Sequence, residues 1–499
     1  MKSIIYLLLL LLGIFTFIVL SKISLTRDIH PSKLPPQLQI KSEDSLGLII
    51  DCHPDKNASQ EVCTKRGCVW SERSNHGGPK KRADAEIPIC RFSADPSSTH
   101  FAGYDVISTR RTKSCVGKRI FEAKLQRRQT PTIFGHDYQK LSLKIDHLGA
   151  KHIRLLISGF GRPPLRFNRR IRHESVRKFE RKNLRQYYKN PFIVSKVTKQ
   201  NQQTSCTSNY CVTVDNKPFG VAILRYMNES KNTTIFDTSN IPGFTFSRQY
   251  LQLSTKLSTN NIYGFGEHQH PTFRRDLNWR KWGLFTRDYA PIGDNMNLYG
   301  FHPFYIGLES DGKAHGVLLL NSYAMNVALQ PDPNILTYRV IGGILEYHIF
   351  LGPSPRQVMD QYTALIGRPS MPPYWGLGYQ LSRFGYKNLT YLETVWNRNR
   401  RARIPQDVQY IDIDYMDCRY DFTYDKKRFK DLNKFVAKLH RHHQKLVLIV
   451  DPGISANPLS AYKPTTDGLA MNIFIKGMHN MIGSLQSPYK NEQRQDAVP

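Results

Sequence analysis

Residues 371–455 decide the fold: MPPYWGLGYQLSRFGYKN at 371–388, DVQYIDIDYMD at 407–417 and KLVLIVDPGIS at 445–455, with helical patterns between them. Each apolar run is short, rich in aromatic or β-branched residues, and closes on polar groups: Ser382 and Arg383, then Asp412 and Asp414, then Asp451. Such runs read as buried parallel strands. Leu392, Val395, Trp396 and Ala402 make a loose helical stripe, while Leu432, Phe435, Val436 and Leu439 recur at i, i+3, i+4 and i+7. Asp431 stands at the start of the second stripe and His440, Arg441, His442 and His443 at its end, where the helix dipole favours cations. Strand starts near 376, 408 and 446 space three βα units in a row. In a (β/α)8 barrel the active site lies at the C-terminal strand ends, where this chain carries its carboxylates. The competing assignment is that these aspartates cap βα loops.

Further stretches carry a family resemblance. PPYWGLGYQLSRFGY, IPQDVQYIDIDYMDCRYDFTYD and VLIVDPGIS resemble the opening of the catalytic barrel of glycoside hydrolase family 31, in its trefoil-bearing α-glucosidase branch. YGFGEHQHPTFRRDLNWRKWGLFTRD, NLYGFHPFYIGLESDGKAHGVLLLNSYAMNVALQP and GPSPRQVMDQYTALIGRP are similar to the same proteins, so the resemblance runs over residues 219–476. It implies hydrolysis of terminal α-linked glucose from oligosaccharides, with no metal or organic cofactor. It also implies roles for single residues. Asp412 binds hydroxyls of the terminal glucose, Ile413 lines the pocket floor, and Ile449 packs beside them. Asp288, in the loop FTRDYAP, reaches the same sugar from the preceding domain. Phe384 stands where the family has Trp or Tyr, which keeps an apolar stacking face and loses a polar handle. Asp414 and Asp451 are expected to orient loops.

The resemblance also sets an expectation about chemistry. Retaining glycosidases use a nucleophile and an acid/base about 5–5.5 Å apart. The family's nucleophile lies in a W-I-D-M-N-E-like run on a later strand, and none of the five tryptophans at 70, 279, 282, 375 and 396 begins one. These 499 residues are therefore expected to hold a trefoil, a β-sandwich and the first part of the barrel, without nucleophile or acid/base and without turnover. After Lys476 the resemblance is expected to end, leaving residues 477–499 as a non-family tail. A catalytically inactive carbohydrate-binding or interaction protein on the same modules is the alternative.

The rest of the chain sets the compartment. Lysines and arginines number 71 against 40 acidic residues, a net +31, which raises nucleic acid or an anionic surface as a partner. The N-terminus argues against nucleic acid. Residues 3–21, SIIYLLLLLLGIFTFIVLS, carry no charge and match the roughly 17–25 residues of a membrane span, with no small-residue cleavage site after them. Residues 1–25 thus read as a signal anchor or signal peptide and 26–49 as a linker, with the remainder in the secretory lumen, type II membrane-anchored or lysosomal or extracellular. Sequons at Asn57, Asn228, Asn232 and Asn388 agree with that address.

Cysteine usage points the same way. Cys52, Cys63, Cys68 and Cys90 lie within 39 residues, and their spacings lack paired CxxC or histidine ligands, which favours disulfides over a metal. The C-x10-C-x4-C spacing and the RGCVW run resemble a trefoil (P-type) domain at 50–95. That resemblance implies bridges Cys52–Cys68 and Cys63–Cys90, the third trefoil bridge having lost both partners. Cys206 and Cys211 are spaced to close a local loop, whereas Cys115 and Cys418 have no evident partners. Between 101 and 370, alternating runs such as LSLKIDHL, HIRLLIS, FGVAIL, FTFSRQYLQLSTKL and HGVLLL separated by turns indicate an antiparallel β-sandwich, galactose-mutarotase-like by the family resemblance. The basic stretch from Arg162 to Lys189 reads as a solvated loop before it reads as a glycan or nucleic-acid site.

Overall fold

Leu141, Leu143 and Ile145 are buried in alternation along Lys140–Gly149, as are Ile153, Leu155 and Ile157 along His152–Gly159. Alternation places one apolar face on each strand, and the two pair antiparallel with Leu143 opposite Ile157. In the computed structural model these strands belong to an eight-stranded antiparallel sheet. The structure describes residues 48–474 except 56–57, 72–86, 99, 114–118, 130–131, 135, 161–194, 200, 208, 229–230, 288, 294, 452 and 456–461. A second sheet of ten strands includes Leu251–Lys256, Ile335–Val340, Phe219–Asn228 and Tyr210–Asn216. Both sheets contribute to one core, with Leu125, Leu143, Leu155 and Tyr347 from the first and Val214, Ile223, Leu253 and Tyr338 from the second. The result is a β-sandwich.

Two local features differ from the sequence expectation or add to it. FTFSRQYLQLSTKL is a hairpin instead of one strand: Thr245–Phe246 pairs with Leu251–Lys256 because Ser247 donates from both its N–H (2.8 Å) and its hydroxyl (3.1 Å) to the Tyr250 carbonyl, turning the chain. The helix Pro355–Ile366 begins at a capping box in which Ser354 accepts from Gln357 N. Its Val358 and Tyr362 cover the sheet through Phe304, Leu318 and Phe350, and Tyr362 stacks on Phe304 at 4.0 Å between ring centres.

The cysteine-rich segment comprises a helix, Gln60–Lys65, and a short antiparallel pair, Val69–Trp70 with Cys90–Arg91. Cys52 bonds Cys68, Cys63 bonds Cys90, and Cys206 bonds Cys211, with Cα separations of 6.4, 5.7 and 4.0 Å. The segment shares its core with the sandwich, since Cys52, Cys63, Cys90 and Phe92 pack in one cluster with Ile133, Ile241 and Ile335. Arg339 adds an ion pair to Asp51 at 3.2 Å. The basic stretch 162–189 and Cys115 lie outside the described residues.

By contact the chain divides into units Met1–Gly367 and Arg368–Pro499. In the second, β1 (Gln380–Leu381), α1 (Leu389–Arg401), β2 (Val408–Ile411), α2 (Leu432–Arg441) and β3 (Lys445–Leu448) alternate, and the three strands are parallel in the order β1-β2-β3. Leu392 and Trp396 of α1 and Phe435 and Leu439 of α2 are buried against Ile411, Tyr415 and Met416. The first strand starts later than 376, because Pro372 and Pro373 lack N–H donors and the chain from Tyr374 to Leu377 coils into a 3-10 turn, Gly376 N donating to Pro373 O. Asp431 stands at the start of α2 in the left-handed region, φ 66°; its side chain makes no capping hydrogen bond and pairs instead with Lys434.

Candidate functional site

Three parallel strands present their C-terminal ends on one edge. Phe384 follows β1, Asp412 and Ile413 follow β2, and Ile449 follows β3, so the fold brings these four to a common rim. Asp412 is partly exposed and its Oδ1 accepts from Ile413 N at 2.8 Å, starting the 3-10 turn Ile413–Tyr415. One oxygen therefore caps, and the carboxylate retains acceptor sites on the other. Capping and ligand binding are compatible at this residue. Ile413 and Ile449 pack on the same apolar cluster beneath the rim, and Tyr415 donates its hydroxyl to Ile449 O at 2.9 Å. Phe384 is 55% exposed, enough for a ring to stack on it, and the Arg419 guanidinium lies 6.0 Å over its ring centre.

Asp414 ties two loops together. Its Oδ2 accepts from Gly385 N at 2.7 Å, joining the loop after β2 to the loop after β1. Gly385 has φ 98°, a backbone that side chains with a Cβ rarely adopt. Asp451 donates its N–H to Asp421 Oδ1 at 2.9 Å. Asp421 is 3% exposed, and burial raises its pKa against the opposing pull of that N–H. Sequence reading passed over Asp421, whose partner lies 30 residues away. It also passed over a buried amide relay in which Trp396 donates to Gln444 Oε1 at 2.6 Å and Gln444 donates to Gln406 O at 2.6 Å.

Asp288 itself lies outside the described residues; of its sequence neighbours, Arg287 stacks over Tyr289 at 4.1 Å. Asn57 and the N-terminal segment are likewise outside, and among the described residues no helix is long and apolar enough to cross a membrane. Asn228 and Asn232 flank a hairpin end, Asn228 opposite Lys231. Asn388 is exposed and caps α1, its Oδ1 accepting from Tyr391 N at 2.8 Å, which leaves Nδ2 for a glycan. His440 to His443 are exposed at the end of α2. Sulfurs of Cys52, Cys68 and Cys90 cluster within 4.8 Å, but all are spent in bridges and offer no thiolate to a metal.

The family model for the glycosyl hydrolases family 31 TIM-barrel domain matches residues 369–495, and the model for the glycosyl hydrolase 31 N-terminal galactose mutarotase-like domain matches 142–327. The chain belongs to glycoside hydrolase family 31. The barrel match runs beyond Lys476. Family 31 relatives include intestinal sucrase-isomaltase of Oryctolagus cuniculus, 38% identical over 85% of this chain and 21% of that protein, and lysosomal alpha-glucosidase of Mus musculus, 35% identical over 89% of this chain and 41% of that protein. The chain thus spans about a fifth to two fifths of these relatives. Among solved structures, the glucosidase II alpha subunit superposes with a TM-score of 0.60 at 19% identity, covering 77% of this chain and 47% of that one, a likeness of fold.

Proposed function

We propose that the chain is the sugar-binding portion of a retaining α-glucosidase, lumenal and glycosylated, with a trefoil at 50–95 and an N-terminal membrane anchor. The rim of Phe384, Asp412, Ile413 and Ile449 takes the terminal α-linked glucose of an oligosaccharide. The observation that carries this is Asp412, a partly exposed carboxylate at the end of β2 with acceptor sites left beyond its bond to Ile413 N. A carboxylate in that position accepts from two sugar hydroxyls and rejects epimers that misplace one. Ile413 and Ile449 supply the apolar floor, and Phe384 supplies a stacking face. Displacement at the anomeric carbon needs two further carboxylates about 5–5.5 Å apart. In this proposal later barrel strands supply them, and the 499 residues alone bind without hydrolysing.

The test is calorimetric titration of the 499-residue chain, secreted from a eukaryotic host, with maltose, beside an assay for released glucose. Wild type is expected to bind and to release none. Asp412→Ala is expected to bind at least about ten-fold more weakly, since a hydrogen bond to a charged group contributes about 1.5–3 kcal/mol. Asp412→Asn keeps the cap on Ile413 and separates the charge from the local fold. Equal affinity of wild type and Asp412→Ala overturns the site, and turnover above a denatured control overturns the division of labour.

A further inference from the structure

The loop after β2 contains a buried carboxylate and a run of left-handed backbone that sugar binding does not account for. Cys418, Arg419 and Phe422 have φ of 50, 59 and 60°, three non-glycine residues in a region costly for side chains bearing a Cβ. Such a loop persists only where its surroundings hold it. Thr423 Oγ1 accepts from Asp417 N at 3.0 Å, Asp425 N donates to Tyr415 O at 2.8 Å, and Tyr420 stacks on Tyr462 at 5.0 Å between ring centres. At its centre lies Asp421. Its backbone carbonyl accepts from the Tyr462 hydroxyl at 3.0 Å, and its carboxylate accepts from the N–H of Asp451, two residues beyond Ile449.

We propose that Asp421 is a positioning residue, which with Asp414 ties the loops after β1, β2 and β3 together and so sets the spacing of Phe384, Asp412 and Ile449 around the sugar. Asp414 holds the β1 side through Gly385 N, and Asp421 holds the β3 side through Asp451 N. Both carboxylates come from one loop, so the loop fixes both neighbours at once. Burying Asp421 is unfavourable for its charge, and burial indeed raises its pKa. A buried acceptor that pairs a backbone N–H at a rim is the arrangement expected of a group kept for geometry. The tether is a property of the three loops alone. Only its consequence for a sugar rests on the glucoside proposal.

Amide hydrogen exchange by mass spectrometry on the full 499-residue chain separates these points. Asp421→Leu should speed exchange in 449–455 at least ten-fold and leave 383–387 unchanged. Asp421→Asn, which keeps an acceptor, should restore 449–455 to within three-fold of wild type. Asp414→Ala should give the reverse pattern, loosening 383–387 and sparing 449–455. Maltose affinity, read on the same proteins, should fall at least five-fold for Asp421→Leu and recover for Asp421→Asn. Unchanged exchange in 449–455, equal loosening of both segments by Asp421→Leu, or a wild type already exchanging there at the unprotected rate overturns the tether. If the exchange pattern holds while wild type binds no maltose, the tether stands and the glucoside proposal falls.

Discussion

Removing the Cys63–Cys90 bridge should open the cysteine-rich module about 400-fold more often without opening the sandwich. The bridge spans 27 residues of sequence and Cys52–Cys68 spans 16. Loop-closure entropy then assigns about 3.6 kcal/mol to the first and about 3.1 kcal/mol to the second. Converted at about 1.4 kcal/mol per factor of ten, that first figure is a rise of several hundred-fold in the open population. The module is not isolated, because its core runs on into Ile133, Ile241 and Ile335, and Ile49 N donates to Gln330 at 3.2 Å. Opening should therefore expose that seam while leaving the paired strands Leu251–Lys256 and Ile335–Val340 joined. The reporters are the amides of Cys52, bonded to Cys90 O at 3.1 Å, and Phe92, bonded to Ile50 O at 3.0 Å. Native-state hydrogen exchange of Cys63→Ala/Cys90→Ala should accelerate both by that factor, with Cys52→Ala/Cys68→Ala about two-fold behind. Acceleration below ten-fold, or equal acceleration in the sandwich strands, would refute a locally opening module stapled by two bridges.

Two further outcomes test the sandwich. Burial pushes His268 down to about 4 and His270 down to about 3, so the unfolded chain binds more protons than the folded one below pH 6.5. Their contribution is complete above about pH 6.5 and is lost as pH falls toward 3–4; allowing for partly exposed rings, the pair should cost about 2 kcal/mol between pH 6.5 and 4.5. Thermal melts of His268→Gln/His270→Gln should be flatter than wild type over that window, and equal slopes would exclude the pair. Arg225 is buried with Glu309 and also donates to Ala314 O at 3.0 Å and Leu351 O at 3.1 Å, while His315 holds Glu309 at 2.8 Å. Glu309→Gln leaves the buried guanidinium without its countercharge and should lower stability in urea by about 3–5 kcal/mol. Arg225→Met/Glu309→Leu should recover more than half of that loss, and a double variant as unstable as the single would show that the pair's charges are not what the site must satisfy.

What the sequence made legible, and what it hid, follow from the range of the interactions. The passage from β2 through α2 to β3 was readable because its signal is local: apolar runs at 408–411 and 445–448 with a 3.6-residue stripe from Leu432 to Leu439 between them. The rim residues Phe384, Asp412, Ile413 and Ile449 came by resemblance, and parallel pairing puts them on one edge. The capping box at Ser354 and Gln357 was equally local and marks a helix start that sequence reading could have used. Asp421 was not recoverable in this way. Its carboxylate meets Asp451 N across 30 residues, and in DFTYD it is one more aspartate of a turn. The backbone around it runs against local preference as well: no propensity favours left-handed conformations at Cys418, Arg419 and Phe422 together. A chain obeys its local rules where packing is all that is asked of it and departs from them where distant contacts impose a geometry. The departure at 418–422 is such a place: the backbone there gives up local preference in a loop that also makes a distant contact, from Asp421 to Asp451 N.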